Sequence, residues 1–313
     1  MRSILNKALN KALNKSRKGA GPGGRPPAAV ELSPEGVMAA ALPESGPRPV
    51  YSFVPLPPGA LIPGIGEPNI RDAEAVAAAI RSALAQVSPR TRAVSLVLPD
   101  TVVRVFILDF DSLPGKPSEA LQVLRFRLRK MVPFEVEHAG VSYQILTDDP
   151  AECKVLTAVL PGPILGEYEA VVRAAGYEPG AVLPSSLAAL EAIDSMEAVL
   201  AANLSPLALT TSIANGNDLL LHRTLDLPES PAIRRSEIQR GIAVAAAYFE
   251  DKLRMPARRL HYAGCYETAE FAQWVDDPAL SVVELAPRPE TGMASALGAA
   301  SIAGVAGALA GAS

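Results

Sequence analysis

The stretch RAVSLVLPDTVVRVFILDFDSLP, Arg92 to Pro114, decides how the rest of the chain is read. Arg92–Pro99 is apolar nearly throughout, the pattern of a strand covered on both faces. Val102–Phe110 alternates less cleanly but is rich in β-branched residues, so it too reads as strand. The continuation EALQVLRFRLRKMVPFEVEHAGVSYQIL, Glu119 to Leu146, changes period. Over Ser118–Met131 the spacing places Leu121, Leu124, Leu128 and Met131 on one side of a helix. Arg125, Arg127, Arg129 and Lys130 crowd its C-terminal half, and Pro133 ends it. Val141–Leu146 returns to strand.

Upstream, Ala28–Leu32 and Gly36–Leu42 are short apolar runs joined by the turn Ser33-Pro34-Glu35-Gly36. Tyr51–Leu56 follows as a third strand. Asp72–Gln86 is a helix with Ala73, Val76, Ala77, Ile80 and Leu84 in its buried stripe. Downstream, strand Lys154–Leu160 precedes helix Ile164–Ala175, which Gly176 closes. Tyr177–Leu183 leads into a helix over Ser185–Met196. Leu207–Ala214 and Asp218–Leu225 form a hairpin around Asn215-Gly216-Asn217. A long helix, Pro231–Arg254, comes next. Strand Arg259–Tyr262, helix Glu267–Val275, strand Val282–Leu285 and helix Met293–Ala310 complete the chain. Strands followed by helices, twice over, predict two α/β halves.

With 313 residues, 49% of them hydrophobic, the chain can build a core of one large or two ordinary domains. Two distant cysteines, Cys153 and Cys265, exclude a disulfide scaffold and a cysteine-rich zinc module. His138, His222 and His261 are scattered without ligand spacing. The net charge of −4 argues against a general nucleic-acid binder. The acidic pairs Asp109/Asp111, Asp148/Asp149 and Asp276/Asp277 sit beside turn residues; they read as caps and turns, or as acid–base or metal pairs. No triad, phosphate-loop or metal motif is present.

The charge is uneven. Residues 1–25 carry Arg2, Lys7, Lys11, Lys15, Arg17, Lys18 and Arg25 and no acid, so the remainder holds −11, the difference between −4 and +7. Residues 3–18 repeat Leu-Asn-Lys-Ala with period four, which predicts a short amphipathic helix. Leu5, Leu9 and Leu13 fall on one side, and Lys7, Lys11 and Lys15 on the other. Two readings stand: contact with an anionic membrane surface through these six residues, or a solvated tail. Gly19–Pro27 is a linker. At the other end, Ala294–Ser313 is uncharged but built from Ala and Gly. That composition suits a helix packed closely on a sheet better than a membrane span.

The ordered set just quoted resembles the PilM family, actin-like proteins of type IV pilus assembly. Four groups of residues carry the resemblance: the proline turn before the first helix in FVPLPPGALIPGIGEPNIRDAEAVAAAI at Phe53–Ile80, the paired strands with their Leu-Pro turn, the helix ending at Pro133-Phe134 before a Tyr143-Gln144 strand, and YEAVVRAAGYEPGAVLPSSLAALEA at Tyr168–Ala192. It extends from about Ala28 to the C-terminus. It implies an α/β, actin-like fold of two ribonuclease H-like halves plus the extra subdomain shared with FtsA. On this reading residues 1–27 are arm and linker, and 28–99 begin subdomain 1A. Residues 100–176 form the inserted subdomain, and 177–200 return to 1A. Residues 201–290 make the second half, and 291–313 supply a C-terminal helix on 1A.

In such a fold two loops, each with an acid and glycines, hold Mg-ATP between the halves. Here the first loop has Glu31 in the acidic place, Ser33 where glycine is expected, and Pro34, which has no amide. At Ser205–Thr211 the second has neither acid nor glycine. The adenosine-side loop keeps Gly264. The expectation is therefore a degenerate cofactor site at Glu31, Ser33 and Gly264, no catalytic residue, no metal and no cofactor, the alternative being ATP with Mg2+. The resemblance also implies a partner, the N-terminal cytoplasmic tail of a PilN-like inner-membrane protein, met by Arg125, Arg129, Val132, Pro133 and Phe134. The implied role is a non-catalytic cytoplasmic scaffold peripheral to the inner membrane. An active ATPase that switches its cleft, or a GspL-like secretion component, are the alternatives.

Overall fold

The computed structural model describes residues 25–44, 48–149, 152–195, 197–216, 218–287 and 301–312. The basic arm, with Leu5, Lys7, Leu9, Lys11, Leu13 and Lys15, lies outside the described residues.

The first half is a five-stranded sheet built from β1 (Ala28–Leu32), β2 (Gly36–Ala41), β3 (Val50–Pro55), β4 (Ala93–Leu98) and β8 (Glu178–Pro184). Its order is β3-β2-β1-β4-β8. β1, β2 and β3 are antiparallel neighbours, while β1, β4 and β8 run parallel. Two helices cover one face: α1 (Ala73–Val87), capped by the Asp72 side chain on the Ala75 amide, and α3 (Gly162–Ala174). Val76, Ile80 and Leu84 of α1 meet Ile164, Tyr168 and Val172 of α3 in one core. The strands are apolar on both sides because the opposite face is covered too. There α4 (Ser185–Leu190) and α7 (Ala303–Ala310) pack on β1, β2 and β4. α7 lies within the small-residue run, and two glycines let it come close. A Cβ at Gly307 would drive into the Ala188 carbonyl, and one at Gly304 into the Glu31 carboxyl. Among the described residues no helix is long and apolar enough to cross a membrane.

The second half repeats the first. It comprises β9 (Val199–Leu204), β10 (Ala208–Asn215), β11 (Asp218–Asp226), β12 (Arg259–Gly264) and β13 (Ser281–Glu284), in the order β11-β10-β9-β12-β13. The pairing senses are the same, antiparallel through β9, β10 and β11 and parallel from β9 to β12 and β13. The long helix α5 (Pro231–Leu253) buries Ile238, Ile242, Ala245 and Phe249 on it. A short helix, α6 (Thr268–Ala272), brings Phe271 to stack on Tyr262.

Between β4 and β8 the chain makes a separate three-stranded sheet, β5 (Arg104–Phe110), β7 (Glu152–Leu160) and β6 (Gly140–Asp149), with β7 central. α2 (Pro117–Leu128) lies on it through Ala120, Leu124 and Leu128. β5 also touches β11, and Arg104 pairs with Asp226 at 3.5 Å, so this sheet leans on the second half.

Two expectations need correction, and a third is described only in part. β9 does not appear in the sequence reading. Ala-rich and central in its sheet, it is buried at nearly every position and shows no alternation. The helix expected over Ser185–Met196 ends at Leu190, where the bonding tightens to i→i−3 turns through Glu191, Ala192 and Ile193. Of the helix expected over Met293–Ala310, α7 is the described part, and residues 288–300 lie outside the described residues.

Candidate functional site: a cleft between two Ser-Pro turns

The duplicated sheets present matching turns to one another. The first joins β1 to β2 as Glu31-Leu32-Ser33-Pro34-Glu35-Gly36, and the second joins β9 to β10 as Asn203-Leu204-Ser205-Pro206-Leu207-Ala208. The matching extends to their anchors. The Ser33 amide donates to the Gly36 carbonyl at 3.0 Å, and Ser205 does the same to Ala208 at 2.9 Å. The Leu56 amide, just past β3, donates to Glu35, as the Leu227 amide, just past β11, donates to Leu207. Between the turns lies a cavity of about 420 Å³ lined by Glu31, Ser33, Asp100, Asn203, Ser205 and Gly264, among others. Glu31, Ser33 and Gly264, singled out in the sequence, are thus brought to one place. Gly264 is required there, since a Cβ would fall 2.8 Å from the Leu204 carbonyl.

The turns keep few free donors. Pro34 and Pro206 have no amide. The amides of Ser33, Gly36, Ser205, Leu207 and Ala208 all donate inside the turns.

Deeper in the cleft a polar network crosses from one half to the other. Asp100 sits in a single helical turn just after β4. Its Oδ1 accepts from the Ser186 amide at 3.0 Å and the Ser186 hydroxyl at 2.7 Å. Its Oδ2 accepts from Asn203 Nδ2 at 3.1 Å and Thr210 Oγ1 at 3.0 Å. Asn203 also donates to Ser185 Oγ at 3.2 Å, and Ser185 donates to Glu31 Oε1 at 2.5 Å. On the far side Ser186 Oγ meets His222 Nε2 at 3.5 Å, and Ser212 Oγ meets His222 Nδ1 at 2.9 Å.

Burial governs the charges. Desolvation pushes the Glu31 carboxyl up to about 7; the Ser185 hydrogen bond opposes this and the nearby Asp100 adds to it. Desolvation also raises Asp100, against the four hydrogen bonds it accepts. His222 is pulled down to about 4 by burial, so it is neutral near pH 7. Among the described residues no Lys, Arg or His lines the cavity. Among the described residues no group of three His, Cys, Asp or Glu is arranged to hold a metal ion.

Asp100, Asn203, Thr210 and His222 were missed as site residues. The signal was in the sequence as a repeat: Glu31-Leu32-Ser33-Pro34 recurs as Asn203-Leu204-Ser205-Pro206, the first after Ala29-Val30 and the second after Ala201-Ala202. Without β9 the second copy could not be aligned on the first. The second turn's acidic place is therefore not vacant; it is held by Asn203, the neutral counterpart of Glu31.

The residues expected to meet a partner sit at the end of α2. Arg125 turns inward, donating to the carbonyls of Val136, Glu137 and Ala139. Arg129 pairs with Glu137, its Nε 2.6 Å from Oε1. Val132 is buried in the small subdomain's core, Phe134 is half-buried against it, and Pro133 is exposed. The outward stripe of α2 holds other residues, Phe126, 67% exposed, beside Arg127, and the exposed Lys130 follows in the turn after the helix.

Two sheets of identical order, related by matching turns across a cleft, are a duplicated ribonuclease H-like unit. The chain has the actin-like fold. Over 91% of its length, and 98% of the other chain, it superposes on a structure of the PilM–PilN type IV pilus biogenesis complex, with a TM-score of 0.67 at 19% identity. Other similar structures are the cytoplasmic domain of EpsL, an inner-membrane component of the Vibrio cholerae type II secretion system, and a Bacteroides thetaiotaomicron protein of actin-like ATPase fold. The first has a TM-score of 0.49 at 13% identity over 84% of this chain and 87% of that one. The second has 0.48 at 11% over 82% and 90%. No protein-family model and no curated protein matches the sequence.

Proposed function

We propose that this chain is a non-catalytic cytoplasmic scaffold of a type IV pilus or related secretion platform, and that it docks the cytoplasmic tail of a PilN-like inner-membrane protein. The observation that carries the non-catalytic part is the state of the two turns. A triphosphate needs backbone donors and positive charge. These turns have spent five amides on themselves and lack two more at Pro34 and Pro206. Glu31, Glu35 and Asp100 line the space, with no cation among the described lining residues. Asp100 accepts four hydrogen bonds, three from side chains and one from a backbone amide. The residues present do not fit Mg-ATP. The docking part is supported by the shared fold with the PilM–PilN complex over nearly the whole of both chains. The basic arm would hold the acidic body near an anionic inner membrane, where tethering raises the local concentration of a weak partner.

Calorimetry with Mg-ATP, beside a pull-down with a PilN-like tail peptide, tests this reading. The expected outcome is no measurable heat or turnover with Mg-ATP and retention of the peptide. Micromolar ATP affinity would favour the switching ATPase instead. Co-sedimentation with anionic liposomes tests the arm: the full chain pellets in a salt-sensitive way, and a chain starting at Gly19 does not.

A further inference from the structure

The end of α2 sets unpaired cations beside exposed apolar surface. Of the nine large apolar side chains exposed among the described residues, three, Val123, Phe126 and Met131, lie here. Phe126, 67% exposed, is the most open of the nine and the one aromatic among them. Val123, Phe126, Arg127 and Lys130 follow at helical spacing and share a side, and hydrogen-bonded turns carry the coil past Leu128 to Val132. The other cations of the segment are engaged. Arg125 clasps the carbonyls of Val136, Glu137 and Ala139, Arg129 pairs with Glu137, and Lys116 with Glu119. Arg127 and Lys130 have no ion pair or side-chain hydrogen bond among the described residues. Between residues 116 and 138 the only acid outside those pairs is Glu135. Residues 116–138 carry five cations and three acids, so +2, while residues 26–313 as a whole carry −11. A second basic stretch, Lys252–Arg259, exposes Met255 but no aromatic, and its Lys252 and Arg254 are engaged with Tyr248 and Asp251.

Shape and charge together select the occupant. The core under α2 contains no residue of another helix, so the stripe is a single ridge and makes no groove to seat a peptide helix. A ridge with an aromatic ring at its crest and cations on its flank suits a flat anionic interface, the ring at the acyl boundary and the cations at the level of the phosphates. An acidic body is repelled by such a surface on its other faces, so a basic ridge also selects the face that turns to it. We propose that this ridge of α2 lies on an anionic phospholipid bilayer, with Phe126 inserted at the headgroup boundary and Arg127 and Lys130 paired with lipid phosphates. The inference deepens the scaffold reading and rests on its membrane part: the arm tethers the body, and the ridge sets its orientation. Two cations and one ring bind too weakly to hold a chain that lacks the arm, since each cation near an anionic surface strengthens binding only about fivefold.

The test uses the full chain carrying Phe126→Trp, mixed with vesicles of phosphatidylglycerol and phosphatidylcholine brominated along their acyl chains. The side chain at 126 is exposed, so the substitution leaves the core intact. The wild-type chain has one tryptophan, Trp274, and serves as the blank. Bromine is expected to quench the emission that the variant adds and to leave the wild type unchanged. High salt, or vesicles of phosphatidylcholine alone, should abolish the quenching. Arg127→Gln with Lys130→Gln should weaken co-sedimentation of the full chain about tenfold or more, and Arg258→Gln with Arg259→Gln far less. Unquenched Phe126→Trp in a chain that still pellets overturns the ridge contact and leaves the arm standing. A full chain that does not pellet overturns both. Equal losses from the two double variants move the contact to Lys252–Arg259 and overturn the proposal. It is overturned in favour of a protein interface if lipid leaves Phe126→Trp unquenched while a PilN-like tail peptide shifts its emission, or while Phe126→Ser lowers the oligomeric state in sedimentation velocity.

Discussion

Asn203 Nδ2 donates to Asp100 Oδ2 at 3.1 Å, and this bond ties the first strand of the second half to the turn that ends β4 in the first. With Thr210 on the same oxygen, one carboxyl spans the two halves. Replacing Asp100 by Ala leaves the Ser186 amide and the Asn203 amide group without their acceptor. Each buried orphan costs about 1–3 kcal/mol, so the loss is expected at about 2–4 kcal/mol in urea unfolding. Asp226→Asn, which breaks the exposed pair with Arg104, should change stability by under about 1 kcal/mol. Equal effects of the two substitutions would refute the bridging role of Asp100.

Glu31 and His222 make opposite contributions to the pH dependence of stability. The Glu31 carboxyl titrates near 7 folded against 4.5 ordinarily, so between those values the folded protein holds a proton that the unfolded chain has lost. Stability from this residue therefore falls as pH rises from about 4.5 to 7. His222 titrates near 4 folded against 6.5 ordinarily, so the unfolded chain holds the extra proton and stability rises with pH from about 4 to 6.5. At about 1.4 kcal/mol per unit, each shift is worth roughly 3–4 kcal/mol. Their contributions to the wild-type profile should nearly cancel between pH 4.5 and 6.5. Glu31→Gln should unmask a rise with pH over that window, and His222→Gln a fall. Parallel profiles for the two variants would show that one of these groups is not buried as described.

Arg25 and Glu191 form a bidentate pair at 2.6 and 2.9 Å with side chains only 1% and 7% exposed. Removing one partner of such a pair leaves a buried charge and costs about 3–5 kcal/mol. A chain starting at Gly19 should melt with the full chain, and one starting at Ala28 should melt well below both. Coincident melting of all three would place Arg25 in solvent.

Phe134 is half-buried rather than fully enclosed. Its truncation to Ala should therefore cost about 1–2 kcal/mol, below the 3–5 kcal/mol typical of a fully buried aromatic. Leu124→Ala, in the same cluster and fully buried, should cost about 2–5 kcal/mol. Thermal melts of the two variants that rank in the reverse order would misplace the end of α2.

Gly307→Ala should destabilise by about 1–3 kcal/mol, because its Cβ meets the backbone carbonyl of Ala188, which cannot swing away. Gly304→Ala meets the Glu31 side chain, which can move, so its cost should be smaller in the same denaturation assay. A larger loss at Gly304 would mean that Glu31 is the more rigid neighbour.

The local elements were largely legible in the residues, because they rest on short-range rules. The turn at Ser33-Pro34, the apolar β4 and the stripe of α1 follow from turn chemistry, burial on two faces and helical spacing; the helix expected over Ser118–Met131 stops at Leu128, well before Pro133. These rules sufficed for two α/β halves; Glu31, Ser33 and Gly264, and the missing glycine at the first turn, came from the resemblance to the PilM family. Where a strand is Ala-rich and central, these rules fall silent, and β9 with Asn203 was lost there. What only the tertiary structure decided is the network itself. Asp100 meets Ser186, Asn203 and Thr210, which are 86, 103 and 110 residues away along the chain. No periodicity encodes such pairings. They arise when the two sheets close on one another and water leaves the space between them. The same closure raises Glu31 and lowers His222, because a side chain's charge and partners are set by what surrounds it. Within the small subdomain, packing turns Arg125 from a surface cation into a clasp on the loop that follows its helix.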